Sequence, residues 1–164
     1  MLDAKITYRI NGDFNSGLKI FLDDNLLMFS EVKRKWFSSD IIQIYAENKE
    51  LLLVIKKKGV FKTLYHIEFQ NGQLIDDVKS IEESFLSSRI CFSGNKSIEL
   101  KSSAVPFIGP NARIFYKNEE IGNIKIKKLA INLDYTLTMK KANFEYLSYL
   151  FILFLVKESN RDYD

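Results

Sequence analysis

Two short runs of basic residues are the part of this sequence best suited to binding a charged ligand. The first is Lys33-Arg34-Lys35, which Trp36 follows, and the second is Lys56-Lys57-Lys58. Clustered cations attract the phosphates of lipid headgroups or nucleic acids, and each contact contributes about 1 kcal/mol near an anionic surface. The Trp36 ring can enter a lipid interface or stack on a base. The alternative is that the lysines only keep the protein soluble and protect strand edges, and that the ring fills the wall of the fold.

Residues suited to catalysis or metal binding are few. His66 is the only histidine and Cys91 the only cysteine, which leaves too few of the usual ligands for a zinc site. A catalytic triad would depend on His66 without a nucleophile-elbow motif, and the scattered glycines form no phosphate-binding loop. Acidic pairs such as Asp23-Asp24 are more typical of turns than of acid–base catalysis. We therefore predict a protein that is not an enzyme and has no catalytic residue, metal site or cofactor.

The composition limits the class of protein. A chain of 164 residues, 46% apolar and 27% charged, fits one globular domain over residues 1–164, with a polar tail at 159–164. Its 24 basic and 21 acidic residues leave a net charge of +3, so nucleic acid is not an expected partner unless the positive charge is clustered. Cys91, between Ile90 and Phe92, is predicted to be a small buried residue in a reducing compartment. Because the first residues lack the apolar core of a secretory signal, we predict a cytoplasmic location, peripheral to a membrane if lipid is bound.

The most apolar segment, YLSYLFILFLV, predicts a buried helix from Tyr146 to Val156. This helix would reach roughly 16 Å, whereas a membrane span needs about 20 residues. Charged residues flank both ends, and Asn143 is placed to act as an N-cap. Because apolar residues lie on all sides of the helix, we expect protein to surround it. The alternative is a short tail anchor that inserts into a membrane.

Much of the remaining chain alternates between polar and apolar residues, as half-buried antiparallel strands do. The longest alternation runs from Leu129 to Met139. The segment 76–85 is ambiguous between a short helix and a loop, since Val78, Ile81 and Phe85 fall on one helical face. Hairpin turns are predicted at Asn11-Gly12, Asp23-Asp24-Asn25, Glu47-Asn48-Lys49, Asn71-Gly72, Gly94-Asn95 and Asn118-Glu119-Glu120.

An internal repeat relates the two basic runs. The segment that begins at Leu18 matches the segment that begins at Ile41, at a spacing of 23 residues, and a weaker third copy contains Lys127-Lys128. The repeat places the two basic runs at equivalent points of neighbouring hairpins, where they can form one patch. A repeated hairpin that buries one face predicts a sheet that closes on itself, because closure removes exposed edges. We predict a mostly β fold, a closed antiparallel barrel with the carboxyl-terminal helix inside it.

Three segments of the chain occur in the order of a known family. They are LLMFSEVKRKWFSSDIIQIYAENKELLLVIKKKGVFKTLYHIEFQNG, the alternating INLDYTLTM, and the hydrophobic terminal helix. Together they resemble the LURP-one-related family of the tubby C-terminal-domain-like superfamily, from about Tyr8 to Val156. The resemblance implies a barrel of about twelve strands around a central hydrophobic helix. It also implies phosphoinositide binding through basic side chains on the barrel exterior, although no tubby lipid-binding motif matches residue by residue.

Two classes of function follow from these patterns. In the first, the barrel binds anionic phospholipid headgroups or a membrane surface as a scaffold or membrane-associating module. The candidate residues are Lys33, Arg34, Lys35, Lys56, Lys57, Lys58 and Trp36. In the second, a small-ligand-binding or catalytic barrel has a pocket at its mouth. The first class requires the two basic runs to converge on one face, and the second requires a cavity with convergent polar groups.

Overall fold

The computed structural model of the chain is a closed barrel of antiparallel strands with one α-helix inside it. It describes residues 4–13, 17–35, 38–58, 64–72, 77–84, 86–103, 111–128 and 133–159. Within these residues twelve strands pair with their neighbours in chain order, and the first also pairs with the last, which closes the barrel. The predicted fold class is confirmed.

The elements follow one another as hairpins. The strands are β1 (Lys5–Asp13), β2 (Gly17–Leu22), β3 (Asn25–Lys35), β4 (Ser38–Ala46), β5 (Leu51–Lys58), β6 (Leu64–Gln70), β7 (Val78–Ser84), β8 (Ser87–Phe92), β9 (Ser97–Ser102), β10 (Ala112–Tyr116), β11 (Glu119–Lys128) and β12 (Leu133–Lys140). A 3₁₀ turn (Lys141–Tyr146) then leads into α1 (Leu147–Ser159). We call the end of the barrel where α1 begins the proximal end and the opposite end the distal end.

The helix α1 forms the centre of the core. From Tyr149 to Val156 no side chain is more than 3% exposed. The Tyr149 ring meets Phe92 edge to face at 4.8 Å, and the Phe154 ring meets Tyr135 in the same way at 4.7 Å. The predicted central helix is therefore confirmed, and its apolar side chains are covered by the barrel wall on all sides.

No helix in the described part of the chain is both long enough and apolar enough to cross a membrane.

Two local predictions, an N-cap and a hairpin turn, are wrong. Asn143 is not an N-cap, because the chain makes a 3₁₀ turn from Lys141 to Tyr146 before α1 begins. Asn11-Gly12 lies inside β1 and not at a turn. Gly12 pairs with Leu18 and has a φ of 137°, and a Cβ there would lie 2.5 Å from the Gly17 carbonyl oxygen. This glycine therefore permits close approach of β2 instead of reversing the chain.

Within the segment 76–85, predicted as a short helix or a loop, Val78–Ser84 form the strand β7, while Asp76 and Phe85 lie outside the described residues. Val78 is opposite the buried Phe92, and Ile81 is opposite the buried Ile90, so both side chains face the core. A bulge between Val78 and Ser80 shifts the register, and it brings residues three apart to the same side of the strand. That spacing resembles a helical face in the sequence, which explains the wrong prediction.

Cys91 is half-buried on the outside of β8, so its predicted burial is wrong. Its neighbours Ile90 and Phe92 are both buried in the core. Side chains alternate across a strand, and two inward neighbours therefore place the residue between them on the outside.

Two buried serines provide a matched test of core polarity. The Leu18 N–H donates a 2.9 Å hydrogen bond to Ser30 Oγ, whereas Ser88 Oγ has no partner among the described residues. We expect Ser30→Ala to lower the free energy of unfolding by about 1–3 kcal/mol, because the buried amide loses its acceptor. Ser88→Ala should be neutral or stabilising. Urea titration followed by circular dichroism measures the free energy of unfolding of both variants. Equal losses would contradict the role of Ser30 Oγ as the acceptor for the Leu18 N–H.

Candidate anion-binding surface

The barrel brings the basic runs to one end. The strands β3, β5 and β11 all run from the proximal to the distal end, because neighbours in the barrel are antiparallel and these three have odd numbers. Lys33-Arg34-Lys35 ends β3, Lys56-Lys57-Lys58 ends β5, and Lys127-Lys128 ends β11. The single strand β4 separates β3 from β5, so the first two runs are close in space, while β11 lies elsewhere on the distal rim.

Lys33 and Lys56 lie in one row on the outside of the wall. Ile41 is paired with Lys33 on one side and with Lys56 on the other, and Lys56 is in turn opposite His66. Directly paired residues point to the same face, and two strand spacings put the lysine backbones about 10 Å apart. Both basic runs therefore contribute a cation to one outward surface.

The two lysines differ in their local partners. Lys33 is exposed and forms no ion pair with any described residue. Lys56 Nζ lies 3.4 Å from Glu68 Oε1, and both side chains are about a third exposed. Such an exposed pair contributes little free energy, in general about 0–1 kcal/mol. An anionic ligand can therefore replace Glu68 as the partner of Lys56 at low cost.

Lys57 does not share the row of Lys56. Its register partner is Tyr65, a core residue, and Lys57 itself is half-buried at the distal end of the interior. The Tyr65 hydroxyl lies 3.4 Å from both Glu83 Oε2 and the Val156 carbonyl oxygen, as donor to either. Tyr65 and Glu83 thus lie beside Val156, one turn before the end of α1. Strand alternation thus divides the second basic run between the two faces of the wall.

The other candidate residues are only partly described. Arg34, Lys35 and Lys58 lie within strands, but their side chains are outside the described part of the structure, and so is the whole of Trp36. Their participation in the patch stays a prediction.

Apolar side chains adjoin the lysine row, a feature that the sequence patterns did not reveal. We call the outward surface of β3 to β6 the β3–β6 flank. Its paired residues form three rows across the strands. The rows are Lys33, Ile41, Lys56 and His66; Glu31, Gln43, Val54 and Phe69; and Phe29, Tyr45 and Leu51. Phe29 stacks on Tyr45 with ring centroids 5.0 Å apart. Burial, together with the neighbouring Glu31 carboxylate, raises the pKa of Tyr45. In the sequence of β5, five consecutive apolar residues precede Lys56-Lys57-Lys58, and this run was the only available signal of an apolar outer row.

On the remaining wall several cations are held by carboxylates. Arg89 Nη2 lies 3.3 Å from Glu99 Oε1, and Lys101 Nζ lies 3.4 Å from Glu99 Oε2. Lys140 is paired with Glu119. These carboxylates offset the charge of Arg89, Lys101 and Lys140 locally.

A small surface pocket lies on the outside of β1, β2 and β12. It has a volume of about 200 Å³, and the turn at Asp23-Asp24 forms one side of it. Its cation is already engaged, since Arg9 Nη2 is 3.1 Å from Asp24 Oδ1 and the Arg9 guanidinium carbon lies 5.1 Å from the centre of the Phe21 ring. The pocket lies on the outer wall beside the proximal turn between β2 and β3, whereas the second class of function requires a cavity with convergent polar groups at the mouth of the barrel.

Among the described residues no group of three or more His, Cys, Asp and Glu side chains is placed to hold a metal ion.

No protein-family model matches the chain, and no curated protein matches its sequence.

Proposed function

We propose that the protein is a non-enzymatic, tubby-like barrel of the LURP-one-related kind that binds anionic phospholipid headgroups at the cytoplasmic surface of a membrane. One observation carries the proposal: Lys33 and Lys56, from two separate basic runs, share one outward row near the distal end. From the sequence, this function required the two basic runs to converge on one face of the barrel.

The charge of the row favours phosphate as the ligand. Lysines about 10 Å apart can contact separate lipid headgroups, each contact contributing about 1 kcal/mol. Arg34, Lys35 and Lys58, at the distal ends of the same strands, would add to this attraction. The enclosed helix supports a binding role on the outer surface, because α1 occupies the interior in which a small ligand would otherwise bind.

Vesicle flotation without detergent tests the proposal. We expect the protein to float with vesicles of equal parts phosphatidylserine and phosphatidylcholine and to remain at the bottom with phosphatidylcholine alone. Raising the salt from low to physiological concentration should weaken binding, because counterions screen exposed charges over about 8–10 Å. Failure to float with anionic vesicles at low salt would refute the proposed function.

A further inference from the structure

We infer that the β3–β6 flank lies against the membrane surface and that the Phe69 ring inserts into the lipid interface; this inference rests on the proposed function. Phe69 is 43% exposed, although it is a large apolar residue within β6, next to the shift in register with β5. Exposed apolar side chains grouped in one patch mark interaction sites more often than isolated ones do. The position of Phe69 within its patch therefore matters more than its exposure alone.

The surroundings of Phe69 are apolar. It is opposite Val54, which faces outward yet is only 9% exposed and is not part of the core cluster. Val54 is thus covered by other side chains of the outer wall. The stacked pair of Phe29 and Tyr45 lies in the next row, about 7 Å further along the strands. Phe69 and Val54 therefore form one apolar group, and the Phe29–Tyr45 pair on β3 and β4 forms a second, with Gln43 beside Val54 in the row of Phe69.

Lysines lie on two sides of this apolar surface, which gives it the charge that an anionic bilayer requires. Lys33 and Lys56 form the row on the distal side, and the exposed Lys19 is opposite Phe29 on the other side. The acidic residues of the flank have partners within it: Glu68 pairs with Lys56, and Glu31 bonds to Tyr45. An apolar centre between cations fits the acyl-chain boundary and the headgroups of anionic lipids together.

A different orientation would place another residue in the membrane. If the barrel stood on its distal end, the turn between β7 and β8 would be among the segments nearest the bilayer. That turn carries Leu86, which is 44% exposed and so matches Phe69 in exposure. Insertion of Phe69 would therefore indicate that the flank contacts the membrane, and insertion of Leu86 would indicate that the distal end does.

Quenching by lipids with brominated acyl chains locates the inserted residue. Two proteins are compared, Phe69→Trp and Leu86→Trp, each retaining Trp36, the only native tryptophan. The emission of Trp36 is measured in the unmodified protein with the same vesicles and subtracted, so that the emission compared is that of the introduced tryptophan. With vesicles of equal parts phosphatidylserine and brominated phosphatidylcholine, we expect the emission of the Phe69→Trp protein to fall by about half, since an indole at the interface lies close to the chains. The emission of the Leu86→Trp protein should be unchanged. Quenching confined to the Leu86→Trp protein, or absent from both, would overturn the inference.

A second measurement tests whether the Phe69 ring contributes to the affinity for vesicles. Phe69→Ser should weaken partition into the same vesicles without bromine by about fivefold, because the exposed part of the ring loses its transfer into the interface. Leu86→Ser, with matched exposure, should change partition less than Phe69→Ser does. Equal losses of partition in the two variants would contradict contact of the membrane with the flank. If the unmodified protein floats with anionic vesicles, but the Phe69→Trp protein is not quenched and Phe69→Ser does not weaken partition, only this inference fails. If the unmodified protein does not float, the proposed function fails as well.

Discussion

Replacing Lys33 and Lys56 together by glutamate is expected to weaken binding to phosphatidylserine vesicles by about a thousandfold. Each lysine near an anionic surface contributes about 1 kcal/mol, and a glutamate in its place is repelled by a similar amount. Two reversals therefore remove about 4 kcal/mol, which corresponds to three factors of ten in affinity. The partition coefficient at low salt, measured by flotation over a range of lipid concentrations, gives this ratio directly.

A matched control separates position from net charge. Lys5→Glu combined with Lys141→Glu makes the same change in total charge, but both lysines are exposed at the proximal end, away from the row. At physiological salt we expect this control to retain most of the binding, because charges more than about 8–10 Å from the membrane are then screened. If both double variants lost binding equally at physiological salt, total charge and not the lysine row would control association.

Leu153→Asp is expected to unfold the protein. Leu153 is fully buried in the middle of α1, and burying an unpaired carboxylate costs several kcal/mol, or raises its pKa until it is neutral at a similar cost. A domain of ordinary stability has only about 5–15 kcal/mol in total. Because the barrel wall depends on α1 to fill its interior, loss of this one side chain should destabilise all of the strands. Circular dichroism and urea titration measure the effect.

Leu153→Met is the control for this substitution. Methionine has nearly the volume of leucine and no polar group, so we expect a loss below about 1.5 kcal/mol. A cooperative transition of Leu153→Asp close to that of the unmodified protein would show that the barrel does not need the helix as its core. Comparison of the two variants therefore separates the effect of placing a carboxylate in the core from the effect of a small change in side-chain volume.

Much of the architecture could be predicted from local patterns in the sequence. Alternation from Asp134 to Met139 identified the outer and inner faces of β12. The confirmed turns at Asp23-Asp24 and Gly94-Asn95 contain residues that tolerate positive φ. The all-apolar segment predicted α1 because only a fully enclosed helix needs apolar residues on every side. These are short-range signals, and each depends on a few neighbouring residues.

Other features depended on contacts between distant parts of the chain. Gly12 resembled a turn residue, but its role is to allow the close approach of β2. The bulge in β7 depends on its pairing with β8, so the spacing of Val78 and Ile81 was wrongly interpreted as one face of a helix. The start of α1 after a 3₁₀ turn depends on how the chain passes from the wall into the interior.

The candidate site shows the same division. The sequence by itself determined that two basic runs end equivalent hairpins and that a buried helix follows the last strand. Only the tertiary structure decided that Lys33 and Lys56 share an outward row, that Lys57 faces inward, and that Phe69 lies beside Val54 on the same flank. The physical reason is strand register. A shift of one residue moves every side chain of a strand to the opposite face, and register depends on pairing and bulges across the closed barrel as well as on local sequence.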